Sequence, residues 1–216
     1  MLVREGDLRG RRVLEVGCGT GVLAAALAER TAARVWAVDA EPAMLDVART
    51  RVPATVGLKA GRAEELPFRD GWFERAVMRQ VVQHVDRSRA LPELARVLAP
   101  GGRAAIATFQ HSHFEGFWLN PFFPSFEAIE LARFPEPGAL AAELEAAGFA
   151  SARIVPLVQR RELDRATALE RIRGRHISTF DLIDDDELAA GTARAERELP
   201  ERVETTLDWA IVIGDR

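Results

Sequence analysis

The chain of 216 residues holds a single cysteine, Cys18, and a single lysine, Lys59. One cysteine cannot close an internal disulfide, and there is no cysteine cluster to hold zinc. No stretch approaches the ~18 consecutive apolar residues that a membrane-crossing helix needs. The opening residues, Met1 to Asp7, carry no apolar core of a secretion signal, so a soluble, cytoplasmic protein is expected. Positive charge is not in surplus either. With 33 acidic and 29 basic residues the net charge is −4, which argues against nucleic-acid binding through bulk charge. What remains is an ordinary globular composition, 48% hydrophobic and 29% charged, long enough to bury a core without staples.

Two kinds of segment alternate through the first half. Arg12 to Val16, Arg34 to Val38, Thr55 to Lys59, Phe73 to Met78 and Arg103 to Phe109 read as strands. Val22 to Arg30 and Ala43 to Thr50 read as helices, the second opened by Pro42, whose missing N–H suits a first turn. Ser88 is expected to cap a helix running to Ala99, before Pro100-Gly101-Gly102 turns the chain. In the second half, Pro137 to Ala147 reads as a helix closed by Gly148, and Phe149 to Val158 and Thr205 to Ile213 as strands. The stretch between those strands looks helical, with a capping box at Asp184 and Glu187. Alternation of this kind predicts an α/β fold, a doubly wound and mostly parallel sheet. A single domain over residues 1–216 is expected, with a ligand-binding core at 1–109 and lid insertions and final strands at 110–216.

Glu15-Val16-Gly17-Cys18-Gly19-Thr20-Gly21 ends the first strand and opens the first helix. Glycines there let the backbone turn sharply and approach a ligand with no Cβ in the way. The dinucleotide fingerprint G-x-G-x-x-G is not met, because Val22 stands where its third glycine belongs, and no Gly-Lys-Ser/Thr ending marks a P-loop. The pattern fits a nucleoside ligand without a pyrophosphate. Asp39, at the end of the second strand, can take two hydrogen bonds from a ribose diol. The plain alternatives are a tight turn with no ligand and a solvated helix cap.

The sequence Val13-Leu14-Glu15-Val16-Gly17-Cys18-Gly19-Thr20-Gly21 resembles the first motif of class I methyltransferases dependent on S-adenosylmethionine. The resemblance continues in order through Val38 to Leu45, Ala60 to Phe68, Phe73 to Val85 and Glu93 to Gly102. It covers roughly residues 10–109 and is strongest toward the small-molecule branch that includes ubiquinone/menaquinone-type methyltransferases. It implies a seven-stranded, Rossmann-like sheet whose last strand is antiparallel, with S-adenosylmethionine as cofactor and S-adenosylhomocysteine as product. By this resemblance Gly17, Cys18, Gly19 and Gly21 pass the methionine moiety, with Glu15 orienting the loop or the ammonium. Asp39 binds the ribose, Ala40 and Met44 lie against adenine, and Ala63 reads its edge. Arg79 and Gln80 contact the methionine end or the substrate. Arg62 stands where many relatives carry an acidic residue, and Glu64 is the nearest substitute. About a dozen residues precede the first strand, so cover for the pocket is expected from 110–132 and 162–200, or from another subunit.

Four histidines are candidate bases, and His111 and His113, just after the fifth strand, are the expected catalytic pair. Two ligands without a third do not make a metal site, so no metal is expected. His84 reads as packing or a helix cap. His176 lies beside Arg171, Arg173 and Arg175, a cluster that suits an acidic substrate group or a solvated helix end. Between 109 and 126 stand Phe109, Phe114, Phe117, Trp118, Phe122, Phe123 and Phe126, which suit an acceptor pocket, a homodimer contact or a mini-core. The expected function is methyl transfer to a small, partly apolar metabolite. The alternatives are a non-catalytic S-adenosylmethionine-binding module and a protein or nucleic-acid methyltransferase.

Overall fold

The computed structural model describes residues 1–216. The chain divides into two compact units. The first comprises Met1–Thr108, Glu136–Pro156 and Ala210–Arg216, the second Phe109–Pro135 and Leu157–Trp209.

Seven strands form one sheet: β1 (Arg12–Val16), β2 (Arg34–Asp39), β3 (Gly57–Ala60), β4 (Phe73–Arg79), β5 (Leu98–Phe109), β6 (Ser151–Asp164) and β7 (Arg202–Asp215). Their spatial order is β3-β2-β1-β4-β5-β7-β6. β1 pairs parallel with β2 and β4, β2 with β3, and β4 with β5. At the start of β5, Gly101 N–H donates to Arg216 O, and Arg216 N–H returns a bond to Gly102 O. The start of β5 thus meets the end of β7, so β7 runs antiparallel.

The helices of the first unit are a short α1 (Leu2–Glu5), α2 (Val22–Thr31), α3 (Pro42–Arg51), α4 (Arg87–Val97) and α6 (Pro137–Ala146). Side-chain alternation along the strands splits the core into two layers. Leu14, Val16, Ala76, Met78 and Ile106 pack with Leu91 and Leu94 of α4 and Leu140 and Leu144 of α6. Val13, Val35, Ala37 and Val77 point the other way, onto Ala24 and Leu27 of α2 and Leu45 of α3. That two-sided burial makes the strands read as mainly apolar runs, interrupted by Glu15 in β1 and Glu74-Arg75 in β4.

Some boundaries differ from the sequence reading. Asp86, not Ser88, caps α4, because its carboxylate accepts both Ser88 N–H at 3.0 Å and Ser88 Oγ at 2.5 Å. β3 starts at Gly57 rather than Thr55, since Val56 N–H closes a turn onto Pro53 O. β5 begins at Leu98, and Ala99 to Gly102 form an irregularity inside it, held by the bonds to Arg216. β6 runs on past Val158 to Asp164.

The second unit holds α5 (Phe126–Arg133), α7 (Arg165–Arg173) and α8 (Asp185–Glu198). Its core gathers Leu119, Phe123, Phe126, Ile172, Phe180, Leu188, Ala195 and Leu199. Asp184 caps α8 through Asp186 N–H, but Glu187 does not complete the expected box. Its Oε1 instead accepts Ser125 N–H at 2.8 Å, leading the chain into α5. No helix is long and apolar enough to cross a membrane.

Gly191 of α8 sits on the Phe122-Phe123 segment, where an added Cβ would come within 2.4 Å of the Phe123 ring and 2.5 Å of Phe122 O. Helix propensity alone favours alanine over glycine by about 1 kcal/mol. The overlap includes backbone and outweighs that gain, so Gly191→Ala is expected to lower stability by ~1–3 kcal/mol in urea unfolding.

Candidate functional site

The carboxyl ends of β1, β2 and β4 converge on a cleft of about 500 Å³ within the first unit. Its floor is the turn after β1. Gly17 N–H and Cys18 N–H both donate to Val38 O, at 2.8 and 3.0 Å, which holds the turn against the end of β2. Gly17 has φ +70°, and an added Cβ would lie 2.4 Å from Val81, so this glycine is fixed by packing. Gly19 has φ +52° and nothing within 4 Å of an added Cβ, leaving its open side to the cleft.

Asp39 closes the arrangement. Its Oδ2 accepts Gly19 N–H at 2.7 Å and its Oδ1 accepts Glu41 N–H at 2.9 Å. A carboxylate has about four acceptor positions, so two donors leave room for a diol. The helix-cap alternative for this residue is met by Glu41 instead, whose side chain accepts Ala43 N–H at the start of α3.

Of the residues singled out in the sequence, Gly17 and Gly19 line the cleft on one side, Asp39, Ala40 and Met44 on another. Ala63, Glu64 and Gln80 complete it. Glu15, Cys18, Gly21 and Arg79 are not among its walls. Glu15 lies buried beneath the turn, with Oε2 lacking a hydrogen-bond partner. Burial raises its pKa to about 8, against the opposing pull of the Arg79 charge. Burial likewise pushes the Cys18 thiol up to about 12, which keeps it protonated and unreactive. Gly21 caps α2 with φ +77°.

Glu64 is buried, and burial is the largest influence on its carboxyl, but the N–H of Asp86, 3.0 Å from Oε1, its own N–H and the Arg62 and Arg89 charges together outweigh it and lower the pKa. Arg62 stands 3.4 Å from its other oxygen. Gln80 holds φ +58°, a strained value for a side-chain-bearing residue, while its N–H donates to Ala107 O. Its Nε2 is buried with no partner. Glu41, Gly61, Arg62, Val81, His84 and Val85 also line the cleft. All six fall inside the segments 38–45, 60–68 and 73–85 that carry the resemblance, but the sequence singled out only Arg62, as a departure from its relatives, and His84, as packing or a helix cap.

The histidine pair lies in the second unit. His111 Nε2 is 2.9 Å from Phe134 O. His113 is buried, its Nδ1 3.0 Å from Thr206 O and its ring stacked on Phe109 at 3.9 Å. Burial drops the His113 pKa to about 4, so the ring is neutral at physiological pH. The His111 nitrogen facing Phe134 O donates to it, leaving Nδ1 as its base position, whereas His113 Nδ1 has both Thr206 O and, at 3.5 Å, the N–H of Asp208 as neighbours. Two of the three arginines in the cluster are paired: Arg173 with Glu196 at 2.7 Å and Arg175 with Asp181 at 3.5 Å. Of the aromatic run, Phe114, Phe123 and Phe126 are buried, and Phe117 stacks on Phe126 at 5.6 Å. Phe123 and Phe126 belong to the core of the second unit, with Phe117, Trp118 and Phe122 partly buried against it.

Residues 14–106 match the family model described as a methyltransferase domain. An uncharacterized methyltransferase of Mycobacterium tuberculosis is 49% identical over 96 residues, 44% of this chain and 39% of that protein. The chain thus spans well under half the length of that relative. A ubiquinone/menaquinone biosynthesis C-methyltransferase of Methylobacterium nodulans is 34% identical over 174 residues, 68% of this chain and 69% of that protein. Among solved structures, a putative methyltransferase from an antibiotic biosynthesis pathway of Anabaena variabilis shares the fold with a TM-score of 0.84. It is 19% identical, over 99% of this chain and 94% of that one.

The buried Glu15 carries a pH signature. The folded state keeps a proton that the unfolded chain releases above about pH 4.5, so stability falls as pH rises toward about 8. Glu15→Gln, neutral throughout, is expected to match the parent near pH 4.5 and exceed it by roughly 2–4 kcal/mol at pH 8, read from urea unfolding at both pH values.

Proposed function

Because this chain belongs to the class I S-adenosylmethionine-dependent methyltransferases, we propose that it binds S-adenosylmethionine in the cleft above β1, β2 and β4 and transfers its methyl group to a small, partly apolar metabolite. The observation that carries the reading is the bond between Gly19 N–H and Asp39 at the cleft wall, which presents a carboxylate beside an open glycine. The cleft fits the group on its own chemistry. Asp39 has acceptor capacity left for ribose hydroxyls, Ala40 and Met44 give adenine an apolar wall, and Gln80 Nε2 is a buried donor with nothing yet to bind. Gly17, Gly19 and Gln80 would hold the methionine end, and Ala63 and Glu64 the adenine side. Glu15 and Cys18 would support the turn from below.

S-adenosylmethionine supplies a methyl group on a cationic sulfonium, ready for in-line displacement. The work of the chain is then alignment, which can supply ~7–11 kcal/mol. The name of the Methylobacterium relative supports a small acceptor. His111 and His113 enter the proposal as bases only through the ring nitrogens not engaged with Phe134 and Thr206.

Calorimetry with S-adenosylhomocysteine is expected to show Asp39→Ala weakening binding by ~1.5–3 kcal/mol, the worth of charge-assisted hydrogen bonds. Unchanged affinity would overturn the ribose assignment. Turnover is read as S-adenosylhomocysteine formed with acidic aromatic metabolites, neutral lipids, peptides and nucleic acids in parallel. Methylation of peptides or nucleic acids alone defeats the small-molecule reading. Binding without turnover on any acceptor favours the non-catalytic module. Full activity in His111→Gln and His113→Gln leaves alignment as the whole mechanism.

A further inference from the structure

A second cleft, of about 370 Å³, opens in the first unit and shares no wall residue with the first. Trp36, Lys59, Pro67, Phe68, Arg69 and Trp72 line it. Trp36 and Trp72 meet edge to face at 6.1 Å, and Phe73 backs both Trp36 at 5.7 Å and Phe68 at 4.9 Å. The rings are only partly buried, so they present aromatic surface to the opening. Lys59, the chain's one lysine, lies over Phe68 at 5.0 Å, and Arg69 over Trp72 at 4.0 Å.

The charges decide the ligand. Lys59 and Arg69 are exposed, and neither forms an ion pair with a carboxylate. The carboxylates nearby are engaged elsewhere, Asp70 by Arg96 and Glu74 by Arg12. An aromatic box without cations would suit a quaternary ammonium. Here three cations already lie against the rings, Lys59, Arg69 and, 5.6 Å from Trp72, Arg12. Arg12 is held by Glu74, so a cationic guest is repelled and an anionic one gains Lys59 and Arg69 as partners. Proline and three large rings favour a flat apolar body, and the volume fits one or two fused rings.

We propose that this cleft binds a planar aromatic anion, its ring against Trp36 and Trp72 and its acidic group between Lys59 and Arg69. The site is separate from the cofactor cleft and does not rest on the methyltransferase reading.

2-Naphthoate is the probe, with 2-naphthalenemethanol as the neutral analogue and acetate as the anion without a ring. Titration followed by NMR of the four tryptophan indole N–H signals is expected to move Trp36 and Trp72 saturably and leave Trp118 and Trp209 in place. The two control compounds are expected to bind at least tenfold more weakly. Lys59→Gln with Arg69→Gln, both on the surface, should weaken naphthoate at least tenfold while the spectrum stays that of the folded chain. Shifts absent or confined to Trp118 and Trp209 overturn the proposal. So does equal binding of the neutral alcohol, or affinity retained in the double variant.

Discussion

The hydrogen bond from Gly19 N–H to the Asp39 carboxylate joins two segments twenty residues apart, and the cleft exists because they are joined. β1 and β2 are already in register, Val16 against Val38, and Val38 O takes the N–H groups of Gly17 and Cys18. That pairing brings the turn after β1 beside the last residue of β2, where Asp39 can reach its open side. Each bond is modest alone. Together they fix a glycine turn that would otherwise be free to move, and the packing of Val81 against Gly17 removes the remaining freedom.

Beneath this polar rim the protein tolerates a carboxyl group that water would ionise. Glu15 stands in the middle of a sheet buried on both faces, where its neighbours Leu14 and Val16 serve the core. Holding it neutral costs stability at physiological pH, a cost of the kind found where binding and folding make opposed demands. His113 is the mirror case in the second unit. Its burial is stabilising only while the ring stays neutral, so acid between about pH 6.5 and 4 works against the fold.

Much of the first unit was legible because local rules and the global fold agree there. Apolar runs ended by glycine or aspartate, broken in β1 only by Glu15, marked β1 and β2 to within a residue, and Pro42 marked α3. The errors fall where a distant partner decides. Ser88 looked like a cap until Asp86 offered a stronger acceptor, and Pro100-Gly101-Gly102 looked like a turn because Arg216, which continues the ladder, is over a hundred residues away. The cleft shows the same divide. Gly17 and Asp39 were readable from spacing, whereas His84 and Val85 reach it only because the chain beyond β4 doubles back there. Nor does any local pattern signal that residues 109–135 and 157–209 make one unit, since its core pairs Phe123 and Phe126 with Phe180 across more than fifty residues.

The sheet order carries a consequence for how the molecule is assembled. β7 follows β6 in the chain yet lies between β5 and β6. Until β7 arrives, β6 has no neighbour in the sheet, and the far edge of β5 stands open with its backbone groups unmet. The five parallel strands can therefore zip from β1 outward, but the other half of the sheet waits on a closure spanning roughly a hundred residues of intervening chain, a slow step for loop entropy. During that interval β5 joins β3 as an open edge to which another copy could pair, and the speed of β7 insertion sets how long it stays so.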